Sequence, residues 1–187
     1  MTRSADNLIW IDLETTGLDP ETRVVLEIAC LVTDKDLNEL GDGIDLVVHQ
    51  EGHAIGQLDP WCVKQHAASG LLDASRASTT SLAEAEARTL AYVKRHCLSG
   101  KTPLCGNSVC FDRRFLIRHM PKLEATFHYR NVDVSSIKEL ARRWRPAVVE
   151  KQTKLSRHRA LDDVRESIAE LRLYRAAFFQ EPPCATP

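Results

Sequence analysis

The sequence predicts a single mixed α/β domain, a five-stranded sheet with an antiparallel and a parallel portion, flanked by helices. Three observations carry this expectation. Three strand-like apolar runs come first, between Asn7 and His49, joined by short polar turns. From Ser81 onward, helix-like and strand-like segments alternate, which is the pattern of crossover connections to parallel strands. The 187 residues suit one domain that can bury a core without disulfides or a structural metal, and no repeat or linker divides them. The domain is expected over residues 1–180, with a Pro-rich tail at 181–187.

Each element has its own warrant. Asn7 to Glu14 is a short apolar run rich in strand formers, ended by Thr15-Thr16-Gly17, and reads as a buried central strand. Val24 to Thr33 and Gly43 to His49 read as two more strands around a polar turn at 34–42, completing a meander. Ser81 opens a helix to Cys97, with Glu84 three residues on in a capping-box pattern and a stripe of Leu82, Ala85, Leu90 and Val93. Thr102 to Cys105 is a short strand, and Phe111 to His119 a helix stopped by Pro121. Tyr129 to Val132 is a strand, and Ser135 to Trp144 a helix stopped by Pro146. Leu161 to Phe179 is a long amphipathic helix through Val164, Ile168, Leu171, Tyr174 and Phe178.

Bulk properties narrow the function. A formal net charge of −1 argues against gripping long nucleic acid, which relies on many Lys/Arg contacts with phosphate, but it permits a short anionic substrate. No apolar stretch approaches the roughly 20 residues of a membrane span, and Met1 to Asp6 lacks an apolar signal region, so a cytoplasmic protein is expected. The six cysteines are scattered without C-x-x-C spacing and read as reduced, mostly buried thiols.

The residues that could carry chemistry are acids. Asp12 and Glu14 are two apart on a strand, so both project on one face, where they could share a cation. Solvated turn residues ahead of Thr15-Thr16-Gly17 are an equally good reading of that pair alone. Asp112 stands at the opening of a helix, where a carboxylate often only complements the helix dipole. His158 precedes Asp163 by five residues at the mouth of the last helix; singly, the one reads as a surface histidine and the other, with Asp162, as an N-terminal helix acid.

Taken as a set, Asp12, Glu14, Asp112, His158 and Asp163 resemble, in order and context, the D-E-D-D-h pattern of RNase H-like exonucleases. The segments Asn-Leu-Ile-Trp-Ile-Asp-Leu-Glu, Thr-Gly-Leu-Asp-Pro, Cys-Gly-Asn-Ser, Phe-His-Tyr-Arg and Lys-Glu-Leu-Ala-Arg-Arg-Trp extend the resemblance to the oligoribonuclease family over nearly the whole chain. The resemblance implies an RNase H-like sheet and 3′-to-5′ hydrolysis of short oligoribonucleotides, above all dinucleotides, to mononucleoside 5′-phosphates, the last step of RNA degradation. It implies two divalent cations, one on Asp12, Glu14 and Asp163 and a second shared by Asp12 and Asp112. Hard carboxylate oxygens suit Mg²⁺ or Mn²⁺. His158 is then the general base, its ordinary pKa of about 6.5 being matched to that task.

For the substrate, the resemblance implies that Leu18 and Trp61 wedge against the bases; a turn residue tucked into the core and an ordinary buried aromatic are the alternatives. His66, Ser108, Arg130 and Ser135 would hold a terminal 5′-phosphate, with Asn107, Gln65 and Ser136 as further contacts. The segment His128-Tyr129-Arg130 would cross a twofold axis, so that the partner subunit's Tyr129 completes each site of a homodimer. An edge strand with exposed polar residues is the plain alternative there. Three rival functions stay open. They are an exonuclease of the same superfamily acting on longer single-stranded RNA or DNA, a non-catalytic dinucleotide sensor, and a purely structural dimer. Residues 150–157 and the tail carry no assigned role.

Overall fold

The computed structural model of the chain describes residues 3–55, 60–150 and 159–179. Five strands, β1 (Leu8–Thr15), β2 (Val25–Thr33), β3 (Ile44–Val47), β4 (Leu104–Gly106) and β5 (Asn131–Asp133), form one sheet in the order β3-β2-β1-β4-β5. The meander β1-β2-β3 is antiparallel, and β4 and β5 add in parallel to the other side of β1. This is the mixed five-stranded sheet expected from the sequence.

The helices are α1 (Gly52–Ile55), α2 (Pro60–Ala68), α3 (Leu71–Ala77), α4 (Leu82–His96), α5 (Cys110–His119), α6 (Pro121–Glu124), α7 (Val134–Trp144), α8 (Pro146–Val149) and α9 (Ala160–Phe178). Pro121 and Pro146 end the preceding helices as expected, and each also starts a short helix. Proline suits that first helical position, where its missing N–H is no loss. The three helices of 52–77 were not foreseen. They are short, and α2 places Trp61, Cys62 and Val63 in succession, so no helical stripe marks it. Ser81 caps α4 as the sequence indicates, its side chain accepting from the Glu84 N–H at 3.2 Å.

Strand alternation divides the interior between the two faces of the sheet. Ile9, Ile11 and Leu13 point into one core with Tyr92, Val93, Phe115 and Leu116 of α4 and α5. Trp10 points into the other, with Ala29, Leu31 and the α9 side chains Val164, Ile168 and Tyr174. Trp10 is fully buried and satisfies its indole N–H on Thr33 Oγ1 at 3.0 Å. Burying each large apolar side chain contributes about 1.5–3 kcal/mol relative to leaving it in water. The centre of the sheet is therefore a rigid platform, and what it carries at the end of β1 is fixed in place.

Candidate active site

The alternation that buries Trp10 puts Asp12 and Glu14 on the same face of β1, toward α9. Helix α9 begins at Ala160, so Asp163 lies in its first turn, where the helix dipole favours a carboxylate. The three residues meet: one carboxylate oxygen from each of Asp12, Glu14 and Asp163 lies within 4.8 Å of the other two.

Asp112 arrives from the other side of the strand. β4 pairs with β1 only at Ile9–Leu104 and Trp10–Cys105, which leaves the β1 edge beyond Trp10 open on that side. Gly106 lets the chain turn there, since a Cβ would stand 3.0 Å from the Ile11 carbonyl oxygen and 3.3 Å from Val109 Cγ2. The turn leads into α5, whose first-turn Asp112 accepts the Leu13 N–H at 2.9 Å. Asp112 is thus tied to the backbone between the two β1 acids, and all four acids line one cleft of about 240 Å³.

The electrostatics of this cleft call for a cation. Burial first, then the charges of Asp12, Asp163 and Glu27, push Glu14 up to about 9, opposed by the Arg159 guanidinium. Burial and then the Asp12 charge hold Asp112 well above the usual carboxylate range, against the pull of the Leu13 N–H. The donor set consists of hard oxygens crowded together, which fits a divalent cation of the Mg²⁺ or Mn²⁺ class.

Of the remaining expected residues, His66, Leu18 and Ser108 line the cleft. His66, on α2, lines the cleft almost fully buried. Its Nε2 lies 2.8 Å from the Thr15 carbonyl oxygen, which can only accept, so Nε2 carries the proton; Nδ1 stands 3.7 Å from Glu14 Oε2. Leu18 lines the same cleft and is 70% exposed, which excludes the alternative of a side chain tucked into the core. Ser108 and Ser135 come together, with 3.5 Å between their hydroxyls, and both are organised by Asp133, which accepts from the Ser108 N–H at 3.0 Å and the Ser135 hydroxyl at 2.6 Å. Tyr129 and Arg130 precede β5 rather than belonging to it. They are exposed, with the Arg130 guanidinium 4.8 Å from the centre of the Tyr129 ring. Trp61 falls within α2, but its side chain lies outside the description, and His158 lies outside the described residues.

Several supporting residues escaped sequence reasoning. Asn107, expected to touch substrate, gives its amide to Ser167 Oγ at 2.9 Å and Glu170 Oε2 at 3.1 Å, binding the turn before α5 to α9. Arg113 donates to the His128 and Tyr129 carbonyls, both at 3.1 Å, and so holds the segment that carries Tyr129. Arg114 donates to the Leu18 carbonyl at 2.7 Å. Phe111 and Cys62 line the cleft. These contacts join residues far apart in sequence, and no spacing rule reveals them. Glu27 left a legible trace, as a single acid inside the apolar run of β2.

Comparison with known proteins agrees with this geometry. The family model RNase_T, described as exonuclease, matches residues 9–171. The oligoribonuclease of Marinobacter nauticus is 54% identical over 177 residues, covering 95% of this chain and 98% of its own. That of Aeromonas hydrophila is 53% identical over 180 residues, covering 96% and 99%. Among solved structures, exonuclease I of E. coli in a zinc-bound complex with single-stranded DNA is similar with a TM-score of 0.75 at 17% identity, over 96% of this chain. Exonuclease I of Methylocaldum szegediense is similar with a TM-score of 0.68 at 21% identity, over 93% of this chain. The present chain spans only 42% and 41% of those two structures, and at such identity the likeness is one of fold. With its acids gathered on an RNase H-like sheet and more than half its residues shared with oligoribonucleases end to end, the chain belongs to the exonuclease family, among its oligoribonucleases.

Proposed function

We propose that the protein hydrolyses short oligoribonucleotides, dinucleotides above all, from the 3′ end to mononucleoside 5′-phosphates, completing RNA degradation. The observation that carries this reading is the convergence of Asp12, Glu14 and Asp163 within 4.8 Å at the end of β1. Asp12, Glu14 and Asp163 would hold one divalent cation, and Asp12 and Asp112 would hold a second, either Mg²⁺ or Mn²⁺. When bound, such cations stabilise negative charge on the attacked phosphate and on the departing 3′ oxygen. His158 takes the proton of the attacking water.

The substrate residues set the length. Leu18, exposed at the cleft, and Trp61 stack on bases, a contact that tolerates any sequence. Ser108 and Ser135, already adjacent, hold the terminal 5′-phosphate with Arg130 and with a His66 protonated at Nδ1 as well, its Nε2 proton being given to Thr15, and so cap the path of a longer strand. The exposed Tyr129 is complete as a contact only in a homodimer, where the partner subunit's Tyr129 closes each cleft. We place the enzyme in the cytoplasm; no described helix is long and apolar enough to cross a membrane.

The test is the cleavage rate of 5′-phosphorylated RNAs of two to about ten nucleotides, a range that passes from the capped site to a single-strand footprint. Fastest turnover of the dinucleotide, lost in His158→Ala, is expected. Equal or faster turnover of the longest RNA assigns the protein to general single-strand exonucleases, and binding of dinucleotide without turnover assigns it to sensors.

A further inference from the structure

Strand β2 reads Val-Leu-Glu-Ile-Ala-Cys-Leu-Val-Thr, and all nine residues are buried. Glu27 is its single charged member and has no solvent exposure. A carboxylate in such a place is tolerated only if both oxygens are well used. They are. Oε1 accepts from Arg159 Nε at 2.8 Å and from Nη2 of the same guanidinium, and Oε2 accepts the Ala160 N–H at 3.0 Å.

Ala160 is the first residue of α9, and the residue in the cap position, Arg159, gives the helix no side-chain cap of its own. Glu27 therefore takes over the capping of α9 from the strand beneath it, satisfying a first-turn N–H that would otherwise be orphaned. The next link runs from the same residue: Asp163 donates its N–H to the Arg159 carbonyl at 3.0 Å. On the sheet side, Glu27 is the direct cross-strand partner of Glu14, and opposed residues project on the same face. One ion pair thus touches the helix turn that bears Asp163 and stands beside the strand residue that bears Glu14.

We propose that Glu27 and Arg159 are a positioning pair for the cation site, fixing the first turn of α9 so that Asp163 meets Asp12 and Glu14 at the separation a divalent cation requires. The inference rests on the cation reading of that cluster. The body of α9 is docked independently, through buried Val164, Ile168 and Tyr174, so loss of the pair leaves the helix on the sheet and loosens its start. A residue that orients ligands from behind characteristically changes metal affinity by about 10- to 100-fold.

The experiment is calorimetric titration of the full chain with Mn²⁺ alone, together with kcat and KM for a 5′-phosphorylated dinucleotide at saturating Mn²⁺ and a thermal melt. The variants are Arg159→Ala, Arg159→Lys and the double change Glu27→Gln with Arg159→Met, which removes both members of the pair together and takes from the half-buried Asp45 the guanidinium 3.9 Å away. Arg165→Ala, on α9, is the control, since it breaks only the contact of Arg165 with Glu39 of the turn between β2 and β3, 3.6 Å away. Arg159→Ala and the double variant should bind Mn²⁺ at least about tenfold more weakly and lose kcat while KM stays near that of the wild type. Arg159→Lys should fall between, because it keeps the charge without the fork. Arg165→Ala should bind as the wild type does. Variants that melt earlier yet bind Mn²⁺ within about twofold of the wild type would reduce the pair to a structural role and overturn the proposal; should Arg159→Ala not fold, Arg159→Lys and the double variant decide it. A wild type that takes up no Mn²⁺ would instead overturn the cation reading and the pair's role together.

Discussion

The floor of the cleft and its rim are built on opposite principles. The floor stands on β1, β2, α5 and α9, elements buried on both faces of the sheet, and its acids are held by backbone and ion-pair contacts such as Leu13 N–H to Asp112 and Arg159 to Glu27. The rim is exposed: Leu18 presents about 70% of its surface, as does Tyr129 ahead of β5. Their backbones are secured from outside, by Arg114 and Arg113. Crowding acids is costly and needs a rigid platform, whereas the residues proposed to meet substrate or a second subunit stand uncovered.

The comparison can be broken at either side. The largest effect is expected on the floor: Glu14→Gln should lower dinucleotide turnover roughly 10³-fold, the equivalent of several kcal/mol of lost charge stabilisation. In the presence of chelator the same variant should melt higher than the wild type, because it removes a crowded carboxylate. Turnover at the wild-type rate would remove Glu14 from the chemistry. Beneath the floor, Phe115→Ala should cost about 3–5 kcal/mol in denaturant unfolding, since Phe115 is fully buried between α5 and the sheet. A loss below about 1 kcal/mol would show that the platform is not rigid there.

At the rim the effect falls on binding instead of stability. Leu18→Ala should raise KM for the dinucleotide by about tenfold, the value of one lost stacking contact, with an unchanged melting temperature. A lowered melting temperature with an unchanged KM would return Leu18 to a structural role. The last effect is a pH dependence. In the folded protein Glu14 has its pKa raised from 4.5 to about 9, so the folded state holds a proton that the unfolded chain has released across that window. Stability without cations should therefore fall as pH rises from about 5 to 9. Melts in chelator should show this decline, Glu14→Gln should flatten it, and Mn²⁺ should remove it. A wild-type melting temperature that climbs over the same range would contradict the cause assigned to the shift.

Much of the floor was legible in the sequence. The spacing of Asp12 and Glu14 on an apolar strand fixes their common face, and the apolar stripe of α9 places Asp163 at its mouth. The alternation of elements was enough to predict a mixed sheet with an antiparallel and a parallel portion. Residues 52–77 were not legible, because short helices with adjacent apolar residues carry no period. Tyr129 and Arg130 read as strand from their neighbours, yet the backbone enters β5 only at Asn131, where pairing with β4 begins. Asn107 kept its place in the cleft but spends its amide on α9, a partner sixty residues away that no local pattern indicates. The pairing of Glu27 with Arg159 is hidden for the same reason, although a lone acid in β2 signalled that some partner must exist.

The most direct test of the central claim is hydrolysis of a 5′-phosphorylated RNA dinucleotide by chelator-treated protein as Mn²⁺ or Mg²⁺ is returned. The account predicts no turnover without cations, full recovery in the wild type on their return, and no recovery in Glu14→Gln at any cation concentration. Turnover that persists in chelator, or that returns equally in Glu14→Gln, would contradict the assignment of the acids of β1 and α9 to a catalytic cation site.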